Sequence, residues 1–406
     1  GLLASLRLTG PAALVADEGN DSFAAAKSLV ESDSGSTALR GEIESTTDID
    51  VYVLAGASAG DRVQVEVTGE GYLDPAAGVF DADRNLLFLN DDRNYFAGVR
   101  DARIDFVLRH ATDSIYVAVA SSPNVSSSGG YTLAVAISAG DGQAPPPQRQ
   151  HVLLNFDGAS GIGFGGRKPV DMPRFDGAVI SPTLTGMSDA LIDAITEHVL
   201  IDYTGLDVVF HTTVDDIPRG IAYSTVHFGA YDKALLGVAE NIDEYNELVA
   251  QDAIVFTDTF AVFNVLQPSF EEYAQALANV TSHEVGHLLG LVHTADTSAL
   301  MDVSASLRQL MLDQAFRQSP LDAGTFPIGF QNAAVTLVES VGGDMELARE
   351  SAAMQLQAAE PGVTALNAKT AEMIDLPRVP FATCLCRGCE AKRVKADDPA
   401  PNWPVH

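Results

Sequence analysis

Thr281-Ser282-His283-Glu284-Val285-Gly286-His287-Leu288-Leu289-Gly290-Leu291-Val292-His293 is the stretch on which the reading of this chain turns. It closes a run in which Phe270, Tyr273, Leu277 and Val280 recur at helical intervals. Just after Pro268, Ser269 and Glu272 have the spacing of a capping box. The stretch is therefore predicted to be the far end of a long helix that starts at Ser269. At about 3.6 residues per turn, His283 and His287 stack on one face, so both imidazoles can reach one ion. Glu284 lies beside that face, where a carboxylate meets a water on the ion rather than the ion itself. Gly290 accounts for the third histidine. A straight helix would carry His293 away, whereas glycine turns the chain through a left-handed conformation and brings it back.

Three neutral imidazoles holding zinc at about 2.0–2.1 Å leave a fourth position open, the donor set of a catalytic rather than a structural zinc. Three of the chain's nine histidines fall inside this window, which a chance His-Glu-x-x-His on a surface helix does not explain. The extended pattern resembles the metzincin clan of metallopeptidases. That clan has a methionine in a tight turn beneath the metal, and Ser298-Ala299-Leu300-Met301-Asp302 supplies one, with Met301 as a packing platform rather than a ligand. Some clan subfamilies place a tyrosine two residues further on; here Val303 stands there, and Thr294 follows His293, so no subfamily is assigned. The resemblance implies a twisted mixed sheet above the active-site helix. An antiparallel edge strand, near Leu235–Glu240 or Ile221–Phe228, would pair with an extended protein or peptide substrate. It also implies a mechanism: zinc activates a water, and Glu284 is the general base in peptide-bond hydrolysis.

Working outward, residues 151–342 read as an α+β domain around this helix. His151–Phe156, Leu206–Phe210, Gly220–Phe228 and Ala253–Phe256 are predicted strands. Ser188 is placed to cap a helix running to Tyr203, with Leu191, Ile192, Ile195 and Val199 on one face and Gly205 beyond its end. His211 and His227 lie on predicted strands without ligand spacing and read as structural.

Residues 17–140 read as an all-β sandwich. Asp50–Leu54, Arg62–Val67, Ile104–Leu108, Ser114–Val119 and Tyr131–Ile137 alternate apolar with polar side chains between Gly-, Asp- and Ser-rich turns. Asn20-Asp21-Ser22, Gly41-Glu42-Ile43, Asp48 through Leu54, Ser58-Ala59-Gly60-Asp61 and Gly130-Tyr131-Thr132-Leu133 resemble the bacterial pre-peptidase C-terminal domain, a β-sandwich attached to secreted peptidases. In that family the sandwich usually follows the peptidase; here it precedes it. Asp48, Asp50, Asp81, Asp83, Asp91 and Asp92 fall in its turns, and Asp48, Asp50, Asp91 and Asp92 are the candidate calcium ligands. Turns also favour Asp for its own local hydrogen bonds.

Residues 141–150, with Pro145-Pro146-Pro147, are predicted to be a semi-rigid linker. Residues 1–16 read as a leader or signal remnant. Residues 343–406 read as a loosely ordered or helical tail, with helical potential at 344–360. The only cysteines, Cys384, Cys386 and Cys389, lie in that tail. They could form a disulfide, bind a metal, or block the zinc through a thiolate. The net charge of −31, from 24 Lys+Arg against 55 Asp+Glu, argues against nucleic acid as a partner. No stretch reaches the roughly 18 consecutive apolar residues of a membrane span. Oligomeric state is not legible. The expectation is a multidomain exported bacterial zinc endopeptidase. Two rivals stand beside it: an adhesion or binding protein with a vestigial peptidase site, and a zinc hydrolase of a non-peptide amide or ester.

Overall fold

A computed structural model of the chain describes residues 13–14, 19–29, 36–94, 98–123, 125–140, 142–164 and 168–355. Nearly all of the expected leader and the three cysteines lie outside the described residues.

The alternation in the N-terminal half produces ten strands: β1 (Ala13–Leu14), β2 (Lys27–Ser28), β3 (Ser36–Ile43), β4 (Ile49–Ala57), β5 (Arg62–Gly69), β6 (Pro75–Phe80), β7 (Leu86–Asn90), β8 (Ala102–Val107), β9 (Thr112–Ser121) and β10 (Gly129–Ser138). They form two five-stranded sheets, ordered β1-β3-β10-β5-β8 and β2-β4-β9-β6-β7. β5 shows the logic: Val63, Val65 and Val67 are buried, while Arg62, Gln64 and Glu66 point away. Val65, Val117, Tyr52 and Leu133 belong to the core between the sheets.

β6 does not alternate. Pro75-Ala76-Ala77-Gly78-Val79-Phe80 is buried throughout, because its second face is covered too. Ile49, Val51, Ala76, Phe80, Ala118 and Ala120 point out of the sandwich and pack with Val292, Leu321 and Phe326 from the C-terminal half. Phe80 and Phe326 have ring centroids 5.7 Å apart. Polar contacts surround this patch: Gln318 Nε2 donates to Asn85 Oδ1 at 2.6 Å, and the Phe330 amide donates to the Arg84 carbonyl at 3.0 Å. The domains thus share a packed apolar boundary.

The second half begins with β11 (Gln150–Asn155) and the hairpin β12 (Ala159–Ile162) and β13 (Val170–Met172). Then come α1 (Gly177–Ile180), α2 (Ser188–Asp202), β14 (Val208–His211), β15 (Ser224–Phe228), β16 (Gly237–Ala239), β17 (Asp252–Val255) and α3 (Phe270–Leu288). After these follow α4 (Leu307–Leu310), the paired β18 (Gln318–Pro320) and β19 (Phe330–Asn332), and α5 (Ala333–Val341). The main sheet runs β14-β11-β15-β17-β16, parallel except for β16, which pairs antiparallel with β17 at the edge. Of the two expected edge segments, Leu235–Glu240 is the edge. The Ile221–Phe228 segment contains β15, which lies between β11 and β17.

One expectation differs from the structure. Ser188 does not cap α2: its hydroxyl accepts from the Gly177 amide and donates to Asp176, so it ties α1 to the helix start instead. A ten-residue 3-10 helix, Thr257–Leu266, precedes α3 and ends at Gln267 in the left-handed region. Residues 345–355, within the stretch read as having helical potential, form a helix that packs on the domain. Ala348, Ser351, Ala352 and Gln355 are buried, and Gln355 Nε2 donates to Asp202 Oδ1 at 2.8 Å.

Candidate metal centre

The frame for the site is α3. Its N-terminus carries the full capping box: the Ser269 hydroxyl accepts from the Glu272 amide at 3.3 Å, and Glu272 Oε2 accepts from the Ser269 amide at 2.7 Å. From Tyr273 to Leu288 every residue is buried, so the helix runs through the domain interior rather than over its surface. Its polar side chains have internal partners. Asn279 Nδ2 donates to the carbonyls of Leu310 and Leu312, and the Ser282 hydroxyl donates to Asp202 Oδ2 at 2.6 Å. Tyr203 OH donates to the Ser282 carbonyl at 2.9 Å. These anchors fix the helix one residue before His283.

The helix stops as its glycine requires. Gly290 has φ +97°, and the Leu291 amide returns to the Gly286 carbonyl at 2.9 Å. The chain reverses and delivers His293. The structure thus brings together His283, His287 and His293: His287 Nε2 lies 3.1 Å from His283 Nε2 and 3.0 Å from His293 Nε2. Among the described residues, this trio is a group whose ligand atoms converge closely enough to hold a metal ion.

The other ring nitrogens decide what those atoms can do. His283 Nδ1 lies 2.6 Å from the Leu300 carbonyl, and His287 Nδ1 lies 2.7 Å from the Leu291 carbonyl. A carbonyl only accepts, so each Nδ1 carries the hydrogen and each Nε2 presents a lone pair. Facing lone pairs cannot hydrogen-bond to one another. Burial also disfavours protonation, lowering the pKa of His283 to about 4 and that of His287 well below its usual value, the latter helped by its neighbour His283. A cation resolves the arrangement, and three neutral imidazoles fit zinc.

Glu284 is 1% exposed, and neither carboxylate oxygen has a well-formed hydrogen bond among the described residues. Burial pushes its pKa well up, while the Ala239 backbone amide favours the charged form. Gly237 of the edge strand lies directly against the carboxylate. Met301 is buried in a tight turn: the Thr294 amide donates to its carbonyl at 2.9 Å, and a Cβ placed on Gly286 would lie 2.8 Å from its sulfur. Sequence reasoning missed the Gly237 and Ala239 backbone and the Leu300 carbonyl, because main-chain groups leave no signature in residue identity.

The remaining candidates are placed elsewhere. His211 Nε2 lies 2.9 Å from His151 Nδ1, and His227 Nε2 lies 3.1 Å from Asp252 Oδ1. The four candidate calcium ligands are not gathered at one point. Asp48 accepts from the Glu44 amide in its own turn, and Asp50 is buried and accepts from Tyr131 OH at 2.6 Å. Asp91 accepts from Ser122 Oγ at 3.2 Å; burial raises its pKa and, helped by Asp91 and Asp74, lifts that of Asp92 to about 6.

Two cavities adjoin the histidines. One of about 20 Å³ touches His283 and is lined by Asn279, Leu300, Val303 and Gln314. The other, of about 370 Å³, reaches His293.

Residues 217–316 match the family model for Matrixin, the M10 peptidases. That span contains all three histidines, Glu284, Gly290 and Met301, so the metzincin resemblance of the motif is met by a family match over the surrounding hundred residues. The match supports a zinc metallopeptidase. A search of curated proteins returns no match. Among solved structures, archaemetzincin from Methanopyrus kandleri is 18% identical over 40% of this chain and 86% of its own, with a TM-score of 0.22. The pre-peptidase C-terminal domain of a Bacillus anthracis collagenase is 16% identical over 27% of this chain and 93% of its own, with a TM-score of 0.22. PliG of Aeromonas hydrophila, a periplasmic inhibitor of g-type lysozyme, is 19% identical over 28% of this chain and 96% of its own, with a TM-score of 0.23. No helix among the described residues is long and apolar enough to cross a membrane.

Proposed function

We propose that the chain is an exported zinc-dependent endopeptidase in which His283, His287 and His293 hold the ion and Glu284 is the general base. One observation carries this reading: the Nε2 atoms of three buried histidines converge beside a buried carboxylate that has no well-formed hydrogen bond of its own. Zinc held there would supply Lewis acidity, polarising a carbonyl and lowering the pKa of water toward neutrality. Glu284 accepts the proton of the attacking water and returns it to the leaving amine. Its burial raises its pKa and so makes the carboxylate a stronger base for the first step.

The sheet edge favours a peptide over another amide or ester. Leu236 and Glu240 bond to β17: the Phe256 amide donates to Leu236, and the Glu240 amide donates to Asp252. By the alternation of an antiparallel ladder, Gly237 and Ala239 turn their backbone groups to the open side. An extended peptide adds there as a further strand, beside Glu284. A vestigial site would have no reason to retain this base and edge together.

The test compares zinc content and peptide-library cleavage for the wild type and Glu284→Gln. One bound zinc is expected in both, with cleavage about 10²–10⁴-fold slower in the variant. A wild type that binds no zinc, or that cleaves esters but no peptide, overturns the proposal.

A further inference from the structure

The cavity at His293 has walls from two domains. The peptidase side contributes Ile242 and Leu248; the sandwich contributes Phe88, Leu89 and Asp91. The sandwich wall is held firmly. Phe88 stacks on Phe106 with centroids 5.4 Å apart, and β6, which pairs with β7, is buried against the second domain at Phe80. Opposite it, Leu248 is 55% exposed, a large aliphatic side chain left uncovered at the cleft mouth. The edge strand leads into this space, since Asn241 and Ile242, which line the cleft, follow Ala239 by two and three residues. A peptide laid along Gly237–Ala239 and continuing past His293 therefore runs between Ile242 and Leu248 on one side and Phe88 and Leu89 on the other.

We propose that residues 88–91 of the sandwich are part of the substrate-binding surface, selecting the peptide side chains on the His293 side of the scissile bond. The inference rests on the peptidase reading. It assigns the two sides of the cleaved bond to different structures, because the cavity of about 20 Å³ at His283 is lined by the peptidase domain alone. The residues it selects are extended and partly apolar, matching Leu89, Ile242 and Leu248, with Phe88 holding the wall from behind through its stack on Phe106.

The experiment uses the full chain, zinc-loaded, as wild type, Leu89→Arg and Leu248→Arg, with zinc content and melting temperature as folding checks. Each is profiled for cleavage-site preference on one peptide library. Both arginines are expected to shift preference toward acidic side chains by about fivefold, the scale of a partly screened charge pair. Both shifts fall on the same side of the scissile bond, and the other side keeps the wild-type profile. If Leu89→Arg does not fold, Leu89→Ala replaces it and is expected to admit bulkier side chains on that same side. The inference is overturned if Leu248→Arg moves the profile while the Leu89 variants do not, or if the two shifts fall on opposite sides. A uniform rise in turnover from Leu89 variants with an unchanged profile would also overturn it, and would identify the sandwich as a plug. A zinc-loaded wild type that cleaves no peptide is a different failure, that of the peptidase reading itself.

Discussion

Gly237 lies directly against the carboxylate of Glu284, with no room for a side chain between the edge strand and the base. The contact joins two residues 47 positions apart in the sequence, and on the proposed mechanism it would set how close a substrate strand comes to the base.

Replacing Gly237 with alanine tests that relationship. The added methyl must displace the carboxylate, and a misplacement of about 1 Å can cost about 10²-fold in rate. Gly237→Ala is therefore expected to lower kcat/KM by about that factor while zinc content stays at the wild-type level. Cleavage within about twofold of wild type would show that the base tolerates the shift.

Gly290 has φ +97°, and a Cβ there would lie 3.1 Å from the Asp243 carbonyl oxygen. A non-glycine residue in the left-handed region costs about 1–2 kcal/mol. Gly290→Ala should lower the melting temperature, and because His293 hangs on this turn, it should also weaken zinc binding in a chelator competition. A variant that loses stability but keeps wild-type zinc affinity would separate the turn from ligand placement.

Met301 is expected to matter through volume. Met301→Leu should cost less than about 1.5 kcal/mol, and Met301→Ala about 2–5 kcal/mol, by denaturant unfolding. The alanine variant should also hold zinc less tightly, since the adjacent Leu300 carbonyl orients His283.

Across the domain boundary, His110 Nδ1 lies 2.6 Å from Glu339 Oε1. The hydrogen bond to Glu339 raises the pKa of His110, and burial opposes it; the charges of Glu339 and Asp81 add to the rise. A folded pKa above the unfolded one gives stability that is complete below about pH 6.5 and lost as pH rises through the folded value. The melting temperature of Glu339→Gln should therefore fall further below wild type at about pH 6 than at about pH 8.5. A gap that is equal or larger at the higher pH would contradict this pairing.

The candidate metal centre was largely legible in the sequence because its three histidines come from one helix and the turn that ends it. The capping box, the i, i+4 histidines and Gly290 are all local. What escaped reading depends on distant chain segments meeting. Leu235–Glu240 and Ile221–Phe228 are both short apolar runs, and only the neighbours of β15 on either side exclude it from the edge. Ser188 has a capping side chain, but Asp176 and Gly177 claim it. The helical potential at 344–360 says nothing of where that helix sits until Gln355 meets Asp202, itself bound to Ser282 beside His283. Phe80, Val292 and Phe326 look like ordinary core residues, and nothing in their identity says that they belong to the same patch.

That patch bears on how far the halves of this chain are separate objects. A proline-rich connector between two folds suggests beads on a string, each able to stand alone. Ile49, Val51, Ala76, Phe80, Ala118 and Ala120 instead give the sandwich a second apolar face, on which its own Phe23 packs and which Val292, Leu321 and Phe326 of the C-terminal half cover. Cut free, it would carry that face into water and self-associate, and its counterpart would expose Val292, one residue from His293. Two recognisable folds therefore need not be two autonomous ones, and the shared patch predicts that the two halves melt together.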